Sequence, residues 1–187
     1  KSRTIDNINN SHITIAFAND FSTAGEQLTT NEANKRNKYL RPGSSRDTKH
    51  VPMSNLEALN NPKETAKEIA EFFKERYSNS KTLVLNIAGN GIYSLNRVTT
   101  QQELNAKMRD VLIELKNELP NTEIIVRSGG QTGMDLAGVV AAYSLGLKTI
   151  IHMPSGYRIR TKENKDMSFK SKEEFIKYIR DNNMYKL

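Results

Sequence analysis

The sequence contains no cysteine, no tryptophan and only three histidines. Without cysteine the chain cannot form a disulfide scaffold, a thiolate zinc site, an iron–sulfur cluster or a cysteine nucleophile. Because histidine is scarce as well, we expect neither a metal ion nor another cofactor. No apolar run reaches the length of about 18 residues that is typical of a membrane span, so we expect no membrane partner. The missing cysteine fits a reducing compartment, and we expect a cytoplasmic protein.

The length of 187 residues suits one domain better than two. Residues 1–11 are polar and lack a core pattern, which predicts a flexible N-terminus. We expect residues 12–187 to form a single domain. Within it, residues 19–60 show little apolar periodicity and are predicted as a long loop region, with a short helix near residues 54–59. Loops of this length are usually functional or disordered, and the pattern leaves that choice open.

Segments with strand patterns alternate with segments with helix patterns. Predicted strands cover residues 12–18, 81–88, 123–127 and 148–152. Four helices are predicted. The first starts at Pro62, the second runs from Thr100 to Pro120, the third covers residues 134–145 and the fourth follows Ser171. This alternation predicts an α/β fold, with a Rossmann-like open, mainly parallel sheet and helices on both faces. The order of the strands does not follow from these patterns.

A glycine-rich turn between the third predicted strand and the helix 134–145 is the strongest functional signal. It consists of Ser128, Gly129, Gly130, Gln131, Thr132 and Gly133. Glycines allow positive φ angles and a close approach of the backbone to a ligand. The first amides of a helix have no partner within the helix and, together with its dipole, favour an anion. The turn is therefore predicted to bind a phosphate group at the carboxyl end of a strand, where parallel sheets bind ligands.

Two other predicted strands end in turns that are expected at the same edge of the sheet. Asn19, Phe21, Ser22 and Thr23 follow the first strand, and Gly89, Asn90 and Gly91 follow the second. If the strands are adjacent and parallel, these residues line one cleft with the glycine-rich turn. Phe21 or Tyr93 would then either stack on a base or pack in the core, and the sequence leaves both possibilities open.

Basic residues concentrate in two segments of the chain. Residues 31–50 and residues 156–172 each carry six basic and two acidic residues, within a formal net charge of +7. Neither segment has apolar periodicity, and both are predicted as loops. They form either a solvated basic surface or two loops that converge on an anion. Arg158 and Arg160 follow the last predicted strand and are candidates for clamping a second phosphate.

Glu26 and Asp135 are the candidate catalytic carboxylates. Glu26 follows the first predicted strand, and Asp135 lies just inside the helix after the glycine-rich turn. In that position Asp135 either adds favourable charge at the helix N-terminus or contacts a ribose hydroxyl. Acid–base catalysis at this cleft would require that one of the two has a raised pKa.

Residues 127–156 resemble the SLOG superfamily. They combine Ser-Gly-Gly-Gln-Thr-Gly-x-Asp, a helix rich in alanine and glycine, a Leu-Gly corner and Pro-x-Gly. The superfamily includes LOG-type phosphoribohydrolases, the DNA-processing protein A fold and a molybdenum-cofactor-carrier-like branch. The Gly-Gly-Gln-Thr-Gly-x-Asp string is most similar to the carrier-like branch. The resemblance implies a bacterial or phage protein that binds nucleotides or nucleotide-derived ligands through residues 129–133, and that forms a homo-oligomer as many relatives do. LOG-type hydrolases follow Pro-Gly-Gly-x-Gly-Thr with a glutamate, which has no counterpart here.

Three functions are compatible with these observations. The first is a nucleotide-binding protein that senses, sequesters or processes a phosphorylated small molecule. The second is a hydrolase of nucleotides or nucleoside phosphates that uses Glu26 and Asp135. The third is a protein that binds single-stranded nucleic acid through its basic segments, for which aromatic residues are sparse. The first is the leading hypothesis because the glycine-rich turn and the neighbouring strand ends all support it.

Overall fold

The computed structural model describes residues 2–43 and 54–187. Five strands form one sheet in which every neighbouring pair is parallel, in the order β2-β1-β3-β4-β5. The strands are β1 (Ile13–Phe17), β2 (Tyr39–Leu40), β3 (Thr82–Gly89), β4 (Glu123–Ser128) and β5 (Lys148–Ile151). The predicted α/β class is confirmed, and four of these five strands lie where the sequence pattern places them.

Seven α-helices and one 3-10 helix accompany the sheet in the described part of the chain. The helices are α1 (Arg3–Asn9), α2 (Ala24–Asn34), α3 (Pro62–Arg76), α4 (Ile92–Leu95), α5 (Gln101–Glu118), α6 (Met134–Ser144) and α7 (Lys172–Asp181). The 3-10 helix covers Leu56–Asn60. Thr100 and Ser171 cap the N-termini of α5 and α7, since their side chains accept hydrogen bonds from the amides of Glu103 and Glu174. None of the described helices is long and apolar enough to cross a membrane.

The main hydrophobic core lies between one face of the sheet and the helices α3, α5 and α6. Alternate residues of β1 and β3 point into it, namely Ile13, Ile15, Phe17, Leu83, Leu85 and Ile87. The helices contribute Ile69, Phe73, Met108, Leu112, Ala137 and Ala141. Gly138 brings α6 close to the sheet, because a Cβ at this position would lie 2.9 Å from the Cβ of Ile87. Side chains with odd numbers in β1 and β3 thus face one core, and their neighbours face the opposite side.

The opposite face of the sheet is covered by α1 and α2. Asn7 of α1 accepts a hydrogen bond from Arg127 of β4, with 2.9 Å between Arg127 Nε and Asn7 Oδ1. Ile8 is fully buried. Lys38, just before β2, donates to the carbonyl oxygens of Asn9 and Ser11 at the end of α1, at 3.2 and 2.7 Å. These contacts hold α1 in a defined place against the sheet.

The sequence analysis predicts a flexible N-terminus for residues 1–11, but these residues include the helix α1. It also predicts a long loop region for residues 19–60, but helix α2 and strand β2 form there. In α2 the buried residues are Glu26, Thr29 and Ala33, so a mostly polar sequence produces a helix without an apolar stripe. In α1 the buried residues are Asn7 and Ile8. Because the periodicity of apolar residues is the main signal for a helix, helices with polar buried faces escape it. Residues 44–53, which include Arg46 and Lys49 of the first basic segment, lie outside the described residues.

The second basic segment also contains regular structure that was predicted as loop. Strands β6 (Ile159–Arg160) and β7 (Asp166–Met167) form an antiparallel hairpin. Ile159 is fully buried in a smaller apolar cluster between α6 and α7. The hairpin is therefore anchored by Ile159 and by the partly buried Met167, while its basic residues remain exposed.

The order of the strands places a topological switch point between β1 and β3. The chain moves from β1 outward to β2 on one side, and from β3 through β4 to β5 on the other. In open parallel sheets of this kind, ligands bind outside the carboxyl ends of the two strands at the switch point. The turns after β1, β3 and β4 meet at this edge, as the sequence analysis required for a shared cleft.

Candidate functional site

A cavity of about 550 Å³ opens at the carboxyl edge of the sheet, beside the switch point. The turns after β1, β3 and β4 line it together with α1 and the β6–β7 hairpin. Predicted site residues in its wall are Thr23, Glu26, Gly89, Asn90, Gly91, Gly129, Gln131, Asp135, Arg158 and Arg160. Tyr93, for which stacking on a base was one of two possibilities, also lines the cavity. Residues that the sequence analysis did not assign to the site are Arg3, Thr4, Asn7, Gly25, Thr29, Asn86 and Asp166, among others.

Glu26 is a buried carboxylate in the wall of this cavity. Its side chain is 5% exposed, and its Oε2 atom has no hydrogen-bond partner among the described residues. The pKa of Glu26 is raised to about 7, chiefly by burial and also by the nearby Asp135 and Asp20, while Arg41 opposes the rise. Near neutral pH this carboxyl group can therefore either donate or accept a proton.

Asp135 occupies the start of α6 and faces the same cavity. Burial raises its pKa to about 7, although Arg3 and a hydrogen bond from the backbone amide of Gln131 lower it. A Cβ on Gly129 would lie 2.7 Å from Asp135 Oδ2 and 3.9 Å from Arg3 Nε. Gly129 therefore provides the space in which this carboxylate and this guanidinium approach each other. Glu26 and Asp135 form a pair of carboxyl groups that influence each other's proton binding.

The amides of the glycine-rich turn largely donate within the protein. The amide of Gly130 donates to Ser128 Oγ at 3.1 Å, and the amide of Thr132 donates to Gln131 Oε1 at 3.1 Å. The amide of Met134 donates to the carbonyl oxygen of Asn90 at 3.1 Å. The predicted phosphate site depended on turn amides without hydrogen-bond partners. At these positions the amides already donate to partners within the protein. Gly129 and Gln131 are the turn residues that line the cavity.

Gln101 at the start of α5 fixes the end of the turn. Its Oε1 accepts from the amide of Gly133 at 2.7 Å, and its Nε2 donates to the carbonyl oxygen of Gly133 at 2.9 Å. Gly133 has a φ angle of 96°, a conformation that favours glycine. A Cβ there would also lie 2.5 Å from the carbonyl oxygen of Asn90. Gly133 therefore has a structural role in joining the turns after β3 and β4.

Asn90 connects the turn after β3 to the turn after β1. Its Oδ1 accepts from the amides of Asn19 and Asp20 at 2.8 and 3.0 Å, and its Nδ2 donates to the carbonyl oxygen of Asp20 at 2.9 Å. The side chain is 4% exposed. Its amide group thus sets the shape of the cavity by holding two turns together. Asn19 contributes its backbone to this connection.

The β6–β7 hairpin brings Arg158, Arg160 and Asp166 to the mouth of the cavity. Arg160 pairs with Asp166, with 3.0 Å between Nε and Oδ1, and both side chains are about half exposed. The amide of Arg160 donates to Gln131 Oε1 at 2.7 Å, and Thr132 Oγ1 donates to the carbonyl oxygen of Arg160. The hairpin is thus attached to the glycine-rich turn. Arg158 and Arg160 add positive charge at the cavity mouth, as the sequence analysis expected.

Several predicted binding residues lie outside the cavity wall and have other contacts. They are Asn19, Phe21, Ser22, Ser128, Gly130, Thr132 and Gly133. Phe21 packs with Ala16 and Ala18 in a small core, with the Arg41 guanidinium 3.8 Å from the centre of its ring. Ser22 donates to Asp20 at the surface. Stacking of Phe21 on a base is not compatible with this packing, whereas Tyr93 lines the cavity and is about half exposed.

The two basic segments do not converge through the residues that the structure describes. Of these residues, the second segment reaches the cavity through its two arginines, but residues 31–43 contribute nothing to its wall. Arg41 is directed toward Tyr39 and Thr30, with hydrogen bonds of 2.7 and 2.9 Å. In residues 2–43 and 54–187 no group of three or more histidine, aspartate or glutamate side chains is arranged to hold a metal ion.

The comparisons with known proteins add no relative to this description. No family model, no curated protein and no solved structure matches the chain.

Proposed function

We propose that this protein binds a nucleotide or nucleotide-derived small molecule in the cavity at the switch point. One observation carries the proposal: a buried donor, Arg3 Nη1, and a buried acceptor, Glu26 Oε2, both lack partners among the described residues and both belong to this cavity wall. Buried polar atoms in folded proteins nearly always have partners. A ligand that brings both an anionic group and hydroxyl groups would supply them.

The arrangement of charges supports a ligand with a phosphate and a sugar. Arg158 and Arg160 place positive charge at the mouth of the cavity, while Glu26 and Asp135 place carboxyl groups deeper in its wall. Carboxyl groups accept hydrogen bonds from ribose hydroxyls, and arginines bind phosphate. Tyr93 offers an exposed aromatic ring on which a base can stack. The resemblance of residues 127–156 to the SLOG superfamily supports the same ligand class.

Isothermal titration against mononucleotides, dinucleotides, ADP-ribose and adenosine tests the proposal. We expect at least one phosphorylated ligand to bind with a micromolar dissociation constant, and Glu26→Gln to change that affinity. Glu71→Gln, on the exposed face of α3, is the matched control and should leave it unaltered. No heat from any ligand at millimolar concentration would rule the proposal out. A response to single-stranded DNA alone, falling steeply with salt, would instead favour nucleic-acid binding.

The raised pKa values of the two carboxyl groups favour a second candidate, hydrolysis of the bound nucleotide. A general acid and a general base are most efficient when their pKa values lie near the working pH, and both Glu26 and Asp135 titrate at about 7. Chromatography of nucleotides incubated with the protein would detect a released base or ribose phosphate. Activity lost in Asp135→Asn and Glu26→Gln would support hydrolysis, whereas intact nucleotides after prolonged incubation would leave a binding protein.

A further inference from the structure

We infer that Arg3, on the N-terminal helix α1, is the residue that binds the anionic group of the ligand inside the cavity. This inference rests on the proposed function and deepens it. It replaces the amides of the glycine-rich turn with a side chain as the main anion-binding element.

The first observation is that α1 is held firmly enough to position a side chain. Arg127 donates to Asn7, and Lys38 donates to the carbonyl oxygens that end the helix. Ile8, which belongs to α1, is fully buried. The first turn of the helix is thereby placed beside the glycine-rich turn, and Arg3, Thr4 and Asn7 become part of the cavity wall.

The second observation is that the Arg3 guanidinium carries a buried donor that is not used within the described part of the chain. Arg3 Nη1 is buried and has no hydrogen-bond partner among the described residues. The position that a Cβ of Gly129 would occupy lies 3.9 Å from Arg3 Nε and 2.7 Å from Asp135 Oδ2. Arg3 and Asp135 attract each other, yet no ion pair within 4.0 Å joins them in the described part of the chain. A planar guanidinium with a free donor beside a cavity suits an oxyanion, which accepts two parallel hydrogen bonds.

The third observation is that the other donors around the cavity are either exposed at its mouth or already engaged. Arg158 lines the cavity but is exposed. Arg160 is paired with Asp166, and both lie at the exposed mouth of the cavity. The amides of Gly130, Thr132, Gly133 and Met134 donate within the protein. An anion that enters the cavity therefore meets Arg3 as its inner cationic partner. The carboxyl group of Glu26 then faces the uncharged, hydroxylated part of the same ligand.

The test compares the full chain with Arg3→Gln, Arg3→Lys and the exposed control Lys177→Gln. The ligands are inorganic pyrophosphate, AMP and adenosine, followed by calorimetry. Loss of charge-assisted hydrogen bonds should weaken pyrophosphate and AMP by about tenfold or more in Arg3→Gln. Adenosine should bind to Arg3→Gln and to the wild type with the same affinity. For pyrophosphate and AMP, Arg3→Lys should have an intermediate affinity, and Lys177→Gln should have the affinity of the wild type. Thermal melts establish that each variant is folded.

A nuclear magnetic resonance titration of the wild type gives a second readout that does not depend on a folded variant. The Nε–Hε resonance of Arg3 should shift as pyrophosphate is added. Equal binding of AMP by wild type and Arg3→Gln would overturn the inference while the proposed function stands. A shift of Arg3 with pyrophosphate but no binding of any nucleotide would support the inference and refute the proposed function. No response to pyrophosphate or to nucleotides would refute both.

Discussion

Replacing Glu26 by glutamine should stabilise the protein, and the gain should grow as the pH rises. The pKa of this carboxyl group is raised from its ordinary value of 4.5 to about 7, chiefly by burial. Because the folded chain binds the proton more tightly than the unfolded chain, the free energy of unfolding falls as the pH rises from about 4.5 to about 7. Glutamine has the same shape and carries no charge, so the variant does not undergo this loss.

The magnitude follows from the two pKa values. The buried charge lowers the free energy of unfolding by about 3 kcal/mol at pH 8 and by about 1 kcal/mol at pH 5. The Glu26→Gln variant should therefore gain about 2 kcal/mol more at pH 8 than at pH 5. This difference is large compared with the total stability of an ordinary domain, which is about 5–15 kcal/mol.

Urea unfolding at several pH values between 5 and 8 measures the gain, with linear extrapolation to zero denaturant. Glu71→Gln removes a carboxylate from an exposed position of α3 and should show no comparable dependence on pH. If the gain in stability were equal at all pH values, burial would not raise the pKa of Glu26 in the folded chain. A loss of stability at pH 8 would mean that the ionised carboxylate makes favourable contacts in the folded state, and the reasoning would be refuted.

The remaining predictions concern packing and the turns. Gly138→Ala should cost about 1–3 kcal/mol of stability, because the added methyl group would contact Ile87 at 2.9 Å, and thermal melts should show it. Gly25→Ala is its control, because apart from the helix's own neighbouring residues no atom of the described part of the chain lies within 4 Å of the new Cβ. The helix should gain about 0.5–1 kcal/mol, and a loss there would contradict the packing argument. Gln101→Ala should cost about 2 kcal/mol through two lost hydrogen bonds to Gly133 and should weaken nucleotide binding; unchanged urea unfolding would speak against that role.

Some features of the site could be read from local patterns. The turn after β4 was expected from its glycines, and Gly129, Gln131 and Asp135 do line the cavity. The expected contribution of the turns after β1 and β3 depended on adjacent parallel strands, and β1 and β3 do pair in that way. The details of these turns were not accessible, since Asn90 and Gln101 bind partners that are far away in the sequence. Whether these residues bind a ligand stays a prediction.

The most consequential omission was Arg3. The first eleven residues show no apolar period, so nothing in the sequence marks a helix at that place. The position of α1 depends on the hydrogen bond that Arg127 donates to this helix, on the hydrogen bond from Lys38 to the carbonyl oxygen of Ser11 and on the burial of Ile8. Contacts of this kind join residues that lie about 30 to 120 positions apart and leave no regular spacing behind.

The alternation of strands and helices follows from the sequence alone. The buried runs of β3 and β4, the amphipathic helices α3 and α5 and the N-cap residues of α5 and α7 are all local signals, because each depends on residues a few positions apart. The order of the strands, the place of α1 and the partners of the turn amides become visible only in the folded chain. Those depend on which surfaces pack together, and the free energy of that packing is distributed over the whole chain. The cavity with Arg3, Glu26 and Asp135 exists because these distant segments meet at one edge of the sheet.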